Sequence, residues 1–521
     1  MCFGVDAGTW NDARLACPSL KSLIKVLQIY LKRHCLTKPV RASLSVKPIQ
    51  TNTLSMTVQL RDLPSPKGLP IVGNFFEVDP RRFHLILEDW CDKLGPAYTF
   101  RVGSRRVLCL AYPNEINQIL RDRPHTFRRR KTFETVIKEM GFNGLFSSEG
   151  ENWKRQRKIV AQALNSAHLN RFFPNLVRST DRLKSRWQQA ADENTVVDLC
   201  SDLMRFTVDV TSELAFGVDV NTIETDGPII QQHLDKVFPM LGKRVNMPIP
   251  LWRWFPSKKD KQLLAALDAI SVEINDIIGR CKERIAADPG ILESPTNFLE
   301  AIIAAQHEHG EDFSDQDIYA NVLTLLLAGE DTTANTIAWA VNYFIDFPEF
   351  LAAARNEVNT VVGQHDLPTA AEQLGRFKFL EAFANETMRL KPVAPLNGLE
   401  TNEATQIGNI EIPPGTPVLA LTRHCAIQDQ YFSNAKQFDP YRWLNRNDHS
   451  KHETAAFLPF GTGPRFCPGR NLALAEIKIC LAMLVKHFDF ERAPSEKPVR
   501  ESLAFTMYPA NLNITFSRHV D

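Results

Sequence analysis

Several features that are common in secreted, membrane-spanning and nucleic-acid-binding proteins are missing from this sequence of 521 residues. The ten cysteines include no Cys-x-x-Cys pair, which predicts a reduced intracellular protein without structural disulfides. The formal net charge is only +1, which argues against a general nucleic-acid binder. No linker rich in Gly, Ser or Pro follows Arg61, and no internal repeat is present, so we predict one large domain over residues 61–521.

Acidic residues are absent between Ala13 and Arg61, where Lys and Arg alternate with Ser and Thr. Apolar residues recur at helical spacing between Leu20 and Leu31, which is typical of a basic amphipathic helix on a membrane surface. The same composition is typical of an organelle transit peptide or of a disordered extension. Translation from Met56 would omit the segment. Residues 1–60 contain no run of about 20 apolar residues that would span a bilayer.

The rest of the chain has mostly helical periodicity with a few short strands. Asp79-Pro80 supplies a helix cap followed by proline, which predicts a helix through Trp90. Residues 100–110 and 405–412 have the pattern of hairpins, and residues 512–516 alternate like a strand. The predicted fold class is therefore mainly α with small antiparallel β-sheets.

One cysteine, Cys467, lies in a loop bracketed by glycines, residues 460–469. Gly463 suits a turn with positive φ or the close approach of a flat ligand, and Gly469 leaves room beside the sulfur where a helix begins. Backbone N–H groups in such a loop, with the positive end of the helix, are expected to lower the thiol pKa. The sulfur would then be an anionic metal ligand, whereas most free cysteines are small buried hydrophobes.

A long apolar helix is predicted to begin at a Ser-x-x-Asp capping box, residues 314–317. Its middle carries Asp331 and Thr332, which are costly in a buried helix unless they have partners or a function. Thr332 is expected to bond back to the carbonyl of Ala328, and Gly329 removes side-chain bulk nearby. We therefore expect the helix to widen here and open a pocket.

The cysteine loop resembles the haem-binding signature of the cytochrome P450 family at Phe460, Gly463, Arg465, Cys467 and Gly469. The resemblance covers roughly residues 61–521 and implies a single large triangular domain that binds haem b, iron protoporphyrin IX, with Cys467 as the axial ligand of the iron. It implies a monooxygenase that inserts one oxygen atom from O2 into a medium-sized hydrophobic organic substrate. A family member that rearranges peroxides or dehydrates, and a haem sensor or carrier, are the alternatives.

Two further motifs resemble those of the family. One concerns the reaction with oxygen, and the other concerns the edge of the haem. Asp331 and Thr332 match the family's acid–alcohol pair, which implies that Asp331 relays protons and that Thr332 hydrogen-bonds the bound oxygen. Trp153 and Arg157 match a Trp-x-x-x-Arg pattern that binds the haem propionates, and Arg465 is implied as another propionate partner.

Glu386 and Arg389 stand three residues apart on a predicted helix, a spacing that many surface ion pairs share. Downstream, residues 438–443 resemble the family's Pro-x-Arg-aromatic segment, which contains Arg442. In the family these motifs form a buried Glu–Arg–Arg cluster. The resemblance therefore implies a structural role for all three side chains.

The sequence departs from the family pattern after residues 390–396. Most members supply an arginine there that reaches a propionate, whereas this chain has Asn397. Arg423 or His424, on the strand expected next, would be a substitute, with simple packing of His424 as the alternative.

The chain contains no dinucleotide fingerprint, flavin domain or iron–sulfur cysteine cluster, so electrons from NAD(P)H are expected to arrive through a separate reductase or ferredoxin. A basic docking face is predicted from four residues: Lys154, Arg155, Arg470 and Lys478. A monomer is expected, in the cytoplasm or in peripheral contact with a membrane, and organelle targeting stays open.

The resemblance places the lid of an apolar substrate pocket in residues 133–146 and 237–255. The remaining lining is expected from Leu326, Ala394, Leu396 and residues 505–507. Three aromatic residues of the second lid segment are expected to be buried anchors, with membrane contact as the alternative: Trp252, Trp254 and Phe255.

Overall fold

The computed structural model describes residues 57–164, 166–225, 237–247, 250–309, 313–444, 452–495 and 497–519. Helices dominate, and the strands form small sheets, which confirms the predicted fold class. The questions raised by residues 1–56 lie outside the described residues. None of the described helices combines the length and the apolar character needed to cross a bilayer.

The helices in chain order are α1 Phe83–Leu94, α2 Pro113–Arg121, α3 Lys131–Glu139, α4 Gly150–Ala163, α5 Ser166–Asp192, α6 Leu199–Phe216, α7 Val237–Asn246, α8 Lys258–Ala287, α9 Phe298–His309, α10 Asp315–Asp346, α11 Pro348–Val362, α12 Ala371–Leu374, α13 Lys378–Leu390, α14 Thr422–Ala426 and α15 Arg470–His487. Short 3-10 turns lie at Phe75–Glu77, Pro80–Arg82, Leu251–Arg253, Pro289–Leu292, Pro440–Trp443, Thr454–Ala456 and Gly463–Arg465.

The strands are β1 Val58–Gln59, β2 Ala97–Val102, β3 Arg105–Leu110, β4 Phe127–Arg129, β5 Val197–Asp198, β6 Asn397–Thr401, β7 Thr405–Ile407, β8 Ile410–Ile412, β9 Pro417–Ala420, β10 Phe488–Arg492, β11 Arg500–Leu503, β12 Met507–Ala510 and β13 Asn513–Arg518. The largest sheet has the order β2-β3-β9-β6-β4, and the others are β1-β8-β7, β10-β13-β5 and β11-β12. Both predicted hairpins are confirmed. Two pairings, β3 with β9 and β1 with β8, are parallel and not antiparallel as predicted.

The start of the first helix differs from its prediction. Asp79 accepts a hydrogen bond from the backbone N–H of Arg81 at 3.0 Å, so it caps a 3-10 turn, and α1 begins only at Phe83. The helix then continues to Leu94, four residues beyond the predicted end. Gly95, with φ of 100°, stops it there because that backbone angle suits glycine.

Helix α10 is the long apolar helix that the sequence predicts. The capping box is present, since the Ser314 N–H donates to the Asp317 carboxylate at 3.0 Å and the Asp317 N–H donates to the Ser314 hydroxyl at 3.2 Å. Most side chains of α10 are buried in the larger of two apolar cores, which also contains much of α6, α8, α13 and α15. The second core lies against α1 and the five-stranded sheet.

Candidate functional site

The loop that holds Cys467 contains a 3-10 turn, Gly463–Arg465, and leads into α15. The Cys467 N–H donates to the carbonyl of Phe460 at 3.0 Å, which closes the loop. Gly463 has φ of 69°, as predicted, and a Cβ there would lie 2.7 Å from the Cα of Arg121 at the end of α2. Gly463 therefore admits a neighbouring helix end and does not itself line the cavity described next.

One cavity joins this loop to the middle of α10 and encloses about 2130 Å³, part of it open to solvent. It gathers eight of the predicted site residues: Trp153, Arg157, Asp331, Thr332, Phe460, Arg465, Cys467 and Gly469. Much of the remaining lining is apolar, as expected of a site for a hydrophobic molecule. The cavity thus brings together motifs that are up to 316 residues apart in the chain, from Trp153 to Gly469.

The thiol of Cys467 has a raised pKa because burial disfavours its charged form. The N–H groups of Gly469 and Arg470 and the charge of Arg157 oppose that effect without cancelling it. The loop N–H groups lower the pKa as predicted, but they do not outweigh burial, so they do not by themselves keep the sulfur anionic. A bound cation would be needed to hold the thiolate, which is the state in which a cysteine ligates a metal.

Thr332 donates to the carbonyl of Ala328 at 3.0 Å, which confirms the predicted back-bond in α10. Gly329 does not simply open the pocket, because a Cβ there would lie 2.5 Å from the hydroxyl oxygen of Thr211 on α6. Its missing side chain lets α6 pack closely against α10. The same contact region includes a hydrogen bond of 2.9 Å from the Thr207 hydroxyl to the carbonyl of Glu330.

Arg465 lies at a basic end of the cavity. Its guanidinium forms a 2.6 Å ion pair with Glu149, donates to the carbonyl of Ser148 at 2.7 Å and stacks 4.3 Å from the ring of Trp153. Arg123 is 3.7 Å from the same carboxylate. Burial lowers the pKa of both arginines because one carboxylate compensates them only in part.

Arg129, on β4, is a cavity residue that the sequence analysis did not identify. Its guanidinium carbon lies 3.8 Å from the ring centre of Phe146. Its Nε is buried without a hydrogen-bond partner, as are the Nε atoms of Arg123 and Arg465. The visible signal was the run of three arginines at 128–130, but the sequence does not tell which of them faces inward.

Two guanidinium groups, those of Arg123 and Arg465, therefore pair with one carboxylate at this end of the cavity, and Arg129 contacts it only through its backbone N–H. Several guanidinium donors of the three arginines are left without hydrogen-bond partners. Buried cations of this kind need anionic partners, since an unpaired buried charge is costly. A ligand with two carboxylates would supply them, while Cys467 at the same cavity offers a sulfur ligand. These residues fit a haem, which carries two propionates around an iron.

The predicted Glu–Arg–Arg contact is present and entirely buried away from the cavity. Arg389 donates to Glu386 at 2.9 and 2.7 Å, and Arg442 donates to the same carboxylate at 2.9 Å. The indole N–H of Trp443 adds a further bond of 2.9 Å. Arg389 also donates to the carbonyl of Ala426 at 2.6 Å, which ties α13 to the segment that precedes the cysteine loop.

Neither substitute considered for the missing arginine lines the cavity. Arg423 lies on α14, not on a strand, and forms ion pairs with Glu88 at 2.5 Å and Glu501 at 2.7 Å. Burial tends to lower its pKa, but these two carboxylates outweigh that effect and raise it. His424 pairs with Asp92 at 2.8 Å. The prediction is wrong because the turn of α14 directs both side chains towards α1.

Glu476 also lines the cavity, from α15. Burial raises the pKa of its carboxyl to about 8, and a hydrogen bond with Thr333 of α10 opposes this shift. One carboxyl oxygen is buried without a hydrogen-bond partner. The carboxyl is therefore largely protonated at neutral pH.

The rest of the predicted pocket is partly confirmed. Ile137, Phe142, Leu145 and Phe146 line it from the first lid segment, Leu241 lines it from the second, and Ala394, Phe505 and Thr506 complete the expected set. Leu326, Leu396 and Met507 do not line it. Leu325 and Leu327 do so instead, because the phase of α10 turns Leu326 into the core.

The aromatic residues of the second lid segment are not all buried anchors. Trp254 and Phe255 are 62% and 76% exposed, while Trp252 is half-buried and donates to Glu139 at 3.2 Å. Residues 248–249 of this segment lie outside the described residues.

The predicted basic docking face is also reduced. Lys478 is buried and pairs with Glu381 at 3.0 Å, so it cannot form part of a free surface. Arg155 lies 3.3 Å from Asp317. Lys154 and Arg470 are exposed.

Comparison with known proteins agrees with this geometry. The family model for Cytochrome P450 matches residues 63–516. The LUTEIN DEFICIENT 5 protein of Arabidopsis thaliana is 24% identical over 495 residues, which cover 92% of this chain and 81% of that protein. Drimenol monooxygenase of Persicaria hydropiper is 24% identical over 471 residues, covering 88% of this chain and 92% of that protein. Echinocystic acid 23-monooxygenase of Saponaria officinalis is 25% identical over 445 residues, 83% of each chain. Because the family model spans most of the sequence, the chain belongs to the cytochrome P450 family.

Proposed function

We propose that this cytochrome P450 monooxygenase inserts one oxygen atom from O2 into a medium-sized hydrophobic organic substrate, with electrons supplied by a separate redox partner. The observation that carries the proposal is the single cavity that contains Cys467, Asp331, Thr332 and the unsatisfied arginines. Two relatives named as monooxygenases support the reaction class, and their names do not fix the substrate of this chain.

The chain supplies residues that would hold a haem. Cys467 would ligate its iron, while Trp153, Arg157 and Arg465 would bind its propionates. When bound, the haem supplies the redox chemistry that activates O2. The protein contributes the sulfur ligand, the positions of the cations and the shape of the apolar space.

The polar residues in the middle of α10, Asp331 and Thr332, would control proton delivery. The Thr332 hydroxyl gives its hydrogen to the Ala328 carbonyl, which leaves the hydroxyl oxygen able to accept another hydrogen bond at the cavity. Asp331 is half-buried beside it, so its carboxylate can exchange protons with solvent and pass them towards Thr332. We therefore assign proton relay to Asp331 and the orienting hydrogen bond to Thr332.

The substrate class follows from the apolar lining. Phenylalanine and leucine side chains from the first lid segment, α10 and the tip of the β11–β12 hairpin surround the space near Thr332. Binding of a hydrophobic molecule there would be stabilised at about 25 cal/mol for each Å² of apolar surface removed from water.

The redox partner would approach through the exposed cations that remain at the predicted face, Lys154 and Arg470. Electrostatic attraction of this kind raises association rates at low salt and weakens as salt is added. For residues 1–60 a transit peptide, a membrane-surface helix and a disordered extension remain the three proposals. The chloroplastic name of one relative is consistent with the first of them.

The proposed reaction is tested by isotope labelling. Hydrophobic compounds would first be screened by spin-state titration of the haem protein, and a compound that binds would then be turned over with a reductase, NAD(P)H and ¹⁸O₂. We expect one ¹⁸O atom in the product and consumption of reductant. A product without ¹⁸O, formed without reductant, would contradict the proposal.

A further inference from the structure

Two threonines of α6 contact α10 immediately before Asp331 and Thr332, and neither threonine of α6 lines the cavity. We propose that one of them, Thr207, is a positioning residue for the monooxygenase reaction. Its hydroxyl holds the peptide group that carries Asp331 and thereby orients the Asp331 carboxyl beside Thr332. The inference rests on the proposed function, because it concerns the proton relay that this function assigns to Asp331.

The hydrogen bond from Thr207 acts on the backbone of α10 and not on a side chain. The Thr207 hydroxyl donates to the carbonyl oxygen of Glu330 at 2.9 Å. This oxygen belongs to the peptide group that joins Glu330 to Asp331. A peptide group is planar, so the oxygen, the Asp331 N–H and the Asp331 Cα lie in one plane. A contact that fixes the oxygen therefore also restrains the Cα from which the Asp331 side chain extends.

The Thr207 hydroxyl has two other acceptors, and both are farther away. The carbonyls of Leu203 and Met204, in the preceding turn of α6, lie 3.1 Å from it. A hydroxyl has a single hydrogen to donate, and the Glu330 carbonyl at 2.9 Å is the nearest of the three acceptors. The contact with α10 thus uses a hydrogen that a helical threonine commonly gives to its own helix.

Thr211, one turn later on α6, sets how closely the two helices approach. A Cβ at Gly329 would lie 2.5 Å from the Thr211 hydroxyl oxygen, so Thr211 occupies the space that a larger residue would need. The Thr211 hydroxyl donates to the carbonyl of Thr207 at 2.6 Å, within its own helix. Residues four apart on a helix share one face, so a single face of α6 contacts the successive residues Gly329 and Glu330.

Helix α6 is held in place by bonds that do not involve α10. Asp202 accepts a hydrogen bond from the indole N–H of Trp187 at 3.1 Å and pairs with Arg186 at 3.0 Å, both on α5. Asp209 accepts from the backbone N–H of Thr222 at 2.7 Å. None of these five residues lines the cavity. Helix α6 is therefore a fixed support for the Asp331 peptide, whatever the cavity contains.

The charge of Asp331 also reaches α6. Burial raises the pKa of the Cys200 thiol to about 12, and the negative charges of Asp198 and Asp331 add to that effect. Cys200 is seven residues, or two helical turns, before Thr207 and therefore lies on the same face of α6. The Asp331 carboxylate is thus within electrostatic reach of the helix face that holds its peptide group.

The other bonds around Asp331 leave its position dependent on α6. Thr332 donates to the carbonyl of Ala328 at 3.0 Å, and Thr336 donates to the carbonyl of Thr332 at 2.8 Å, so both bonds stay within α10. The bond from Thr207, by contrast, ties this stretch to a second helix. Without it, we expect the Asp331 carboxyl to sample more positions and proton delivery beside Thr332 to slow.

The test compares four holoproteins: wild type, Thr207→Val, Thr207→Ser and Thr180→Val. Valine keeps the shape of threonine without the hydroxyl, whereas serine keeps the hydroxyl. Thr180 is the matched control, because it is equally buried and its hydroxyl bonds back to Leu176 at 2.7 Å within α5. All four proteins should show the carbon-monoxide difference spectrum of a thiolate-ligated haem. Its absence from wild type would contradict the proposed function itself.

The first readout needs neither substrate nor redox partner. Carbon monoxide is bound to the dithionite-reduced proteins, and the C–O stretching band is recorded by infrared spectroscopy, because its frequency responds to nearby polar groups. Thr207→Val should shift or broaden the band. Thr207→Ser should restore the position seen in wild type, and Thr180→Val should leave it unchanged.

The second readout follows the backbone. Hydrogen exchange of peptides that cover residues 328–334 is measured by mass spectrometry. We expect this segment to exchange about fivefold faster in Thr207→Val and less than about twofold faster in Thr207→Ser and Thr180→Val. An unchanged C–O band together with unchanged exchange in Thr207→Val would overturn the inference.

The third readout connects position with reaction. The proteins are turned over with a reductase, NAD(P)H and the compound that gives the largest spin-state shift. Product formed per NAD(P)H should fall about two- to fivefold in Thr207→Val, recover in Thr207→Ser and stay at the level of wild type in Thr180→Val. Full coupling in Thr207→Val would contradict the role of Thr207 in the reaction and leave the proposed function standing. A wild-type protein that formed no product from O2 would instead contradict the proposed function.

Discussion

Two clusters of buried arginines in this protein have opposite charge balances. In the Glu386 cluster, Arg389 and Arg442 place their donors on one carboxylate and on backbone carbonyls, and the three side chains are almost fully buried. At the cavity, Arg123 and Arg129 keep unpartnered donors around an acid that they share. The first cluster is complete within the chain, whereas the second requires an anionic ligand, which is how the structure distinguishes a brace from a binding site.

The largest expected effect concerns the complete cluster. Arg442→Ala leaves Glu386 and Arg389 with a broken network, and removing one partner of a buried ion pair costs about 3–5 kcal/mol. We expect the variant to lose that much free energy of unfolding and to fail to hold haem. Guanidinium denaturation and the haem absorbance of the purified protein measure both effects.

Arg280→Ala is the control for this substitution, because Arg280 forms an exposed pair with Asp276 worth about 0–1 kcal/mol. If Arg442→Ala were as stable as this control and kept its haem, the distinction between the two clusters would fail.

A second prediction concerns Glu476, a buried carboxyl at the cavity. It has no cationic partner among the described residues, whereas the arginines at the cavity have too few anionic partners. Its folded pKa of about 8 lies above the value in the unfolded chain, so the folded state binds more protons between about pH 4.5 and 8. This group therefore lowers stability progressively as pH rises through that window. Glu476→Gln, which stays neutral, should be more stable than wild type by up to a few kcal/mol at pH 8 and close to it at pH 4.5.

Denaturation of wild type and Glu476→Gln at both pH values isolates this carboxyl from other titrating groups. A difference in unfolding free energy that did not change between pH 4.5 and pH 8 would show that Glu476 is already ionised in the folded protein.

The smallest expected effect comes from a cavity residue whose hydrogen bond is satisfied within its own helix. Thr332→Ala removes a hydroxyl that is bonded to Ala328, so stability and haem retention should change little. The yield of product per NAD(P)H consumed should nevertheless fall several-fold, because proton delivery is impaired. This fall corresponds to a change of about 1 kcal/mol in the difference between the barriers of the productive and the unproductive reaction. Reductant consumption and product are measured together.

Thr324→Ala is the matched control for this change, since Thr324 makes the same back-bond, to Ala320 at 2.6 Å, two turns earlier on α10. Tight coupling in Thr332→Ala, or equal uncoupling in Thr324→Ala, would remove the assigned role of Thr332.

The sequence is sufficient for features that depend on short spacings. The capping box of α10, the Thr332 back-bond and the positive φ of Gly463 are each set within four residues, and the structure contains all three. The meeting of Glu386 and Arg389 with Arg442 could be expected only through the family resemblance, because the last contact spans 56 residues.

Other features depend on which elements become neighbours. Arg423 is one of two substitutes that the sequence suggests for the missing arginine, because its partners, Glu88 on α1 and Glu501 on β11, are distant in the chain. The close packing of α6 leaves no room for a side chain at Gly329, and the burial of Lys478 depends on α13. Arg129 could be selected from its run of arginines only once β4 had been paired with β6.

The central claim, that Cys467 and the incompletely neutralised arginines together form a haem-thiolate site, is tested most directly by the reduced carbon-monoxide difference spectrum. Wild type and Cys480→Ala, which removes a buried thiol from the following helix, should both show the absorbance maximum of a thiolate-ligated haem. Cys467→Ser should lose it. A thiolate spectrum that survives in Cys467→Ser, or its absence from the wild-type haem protein, would contradict the account.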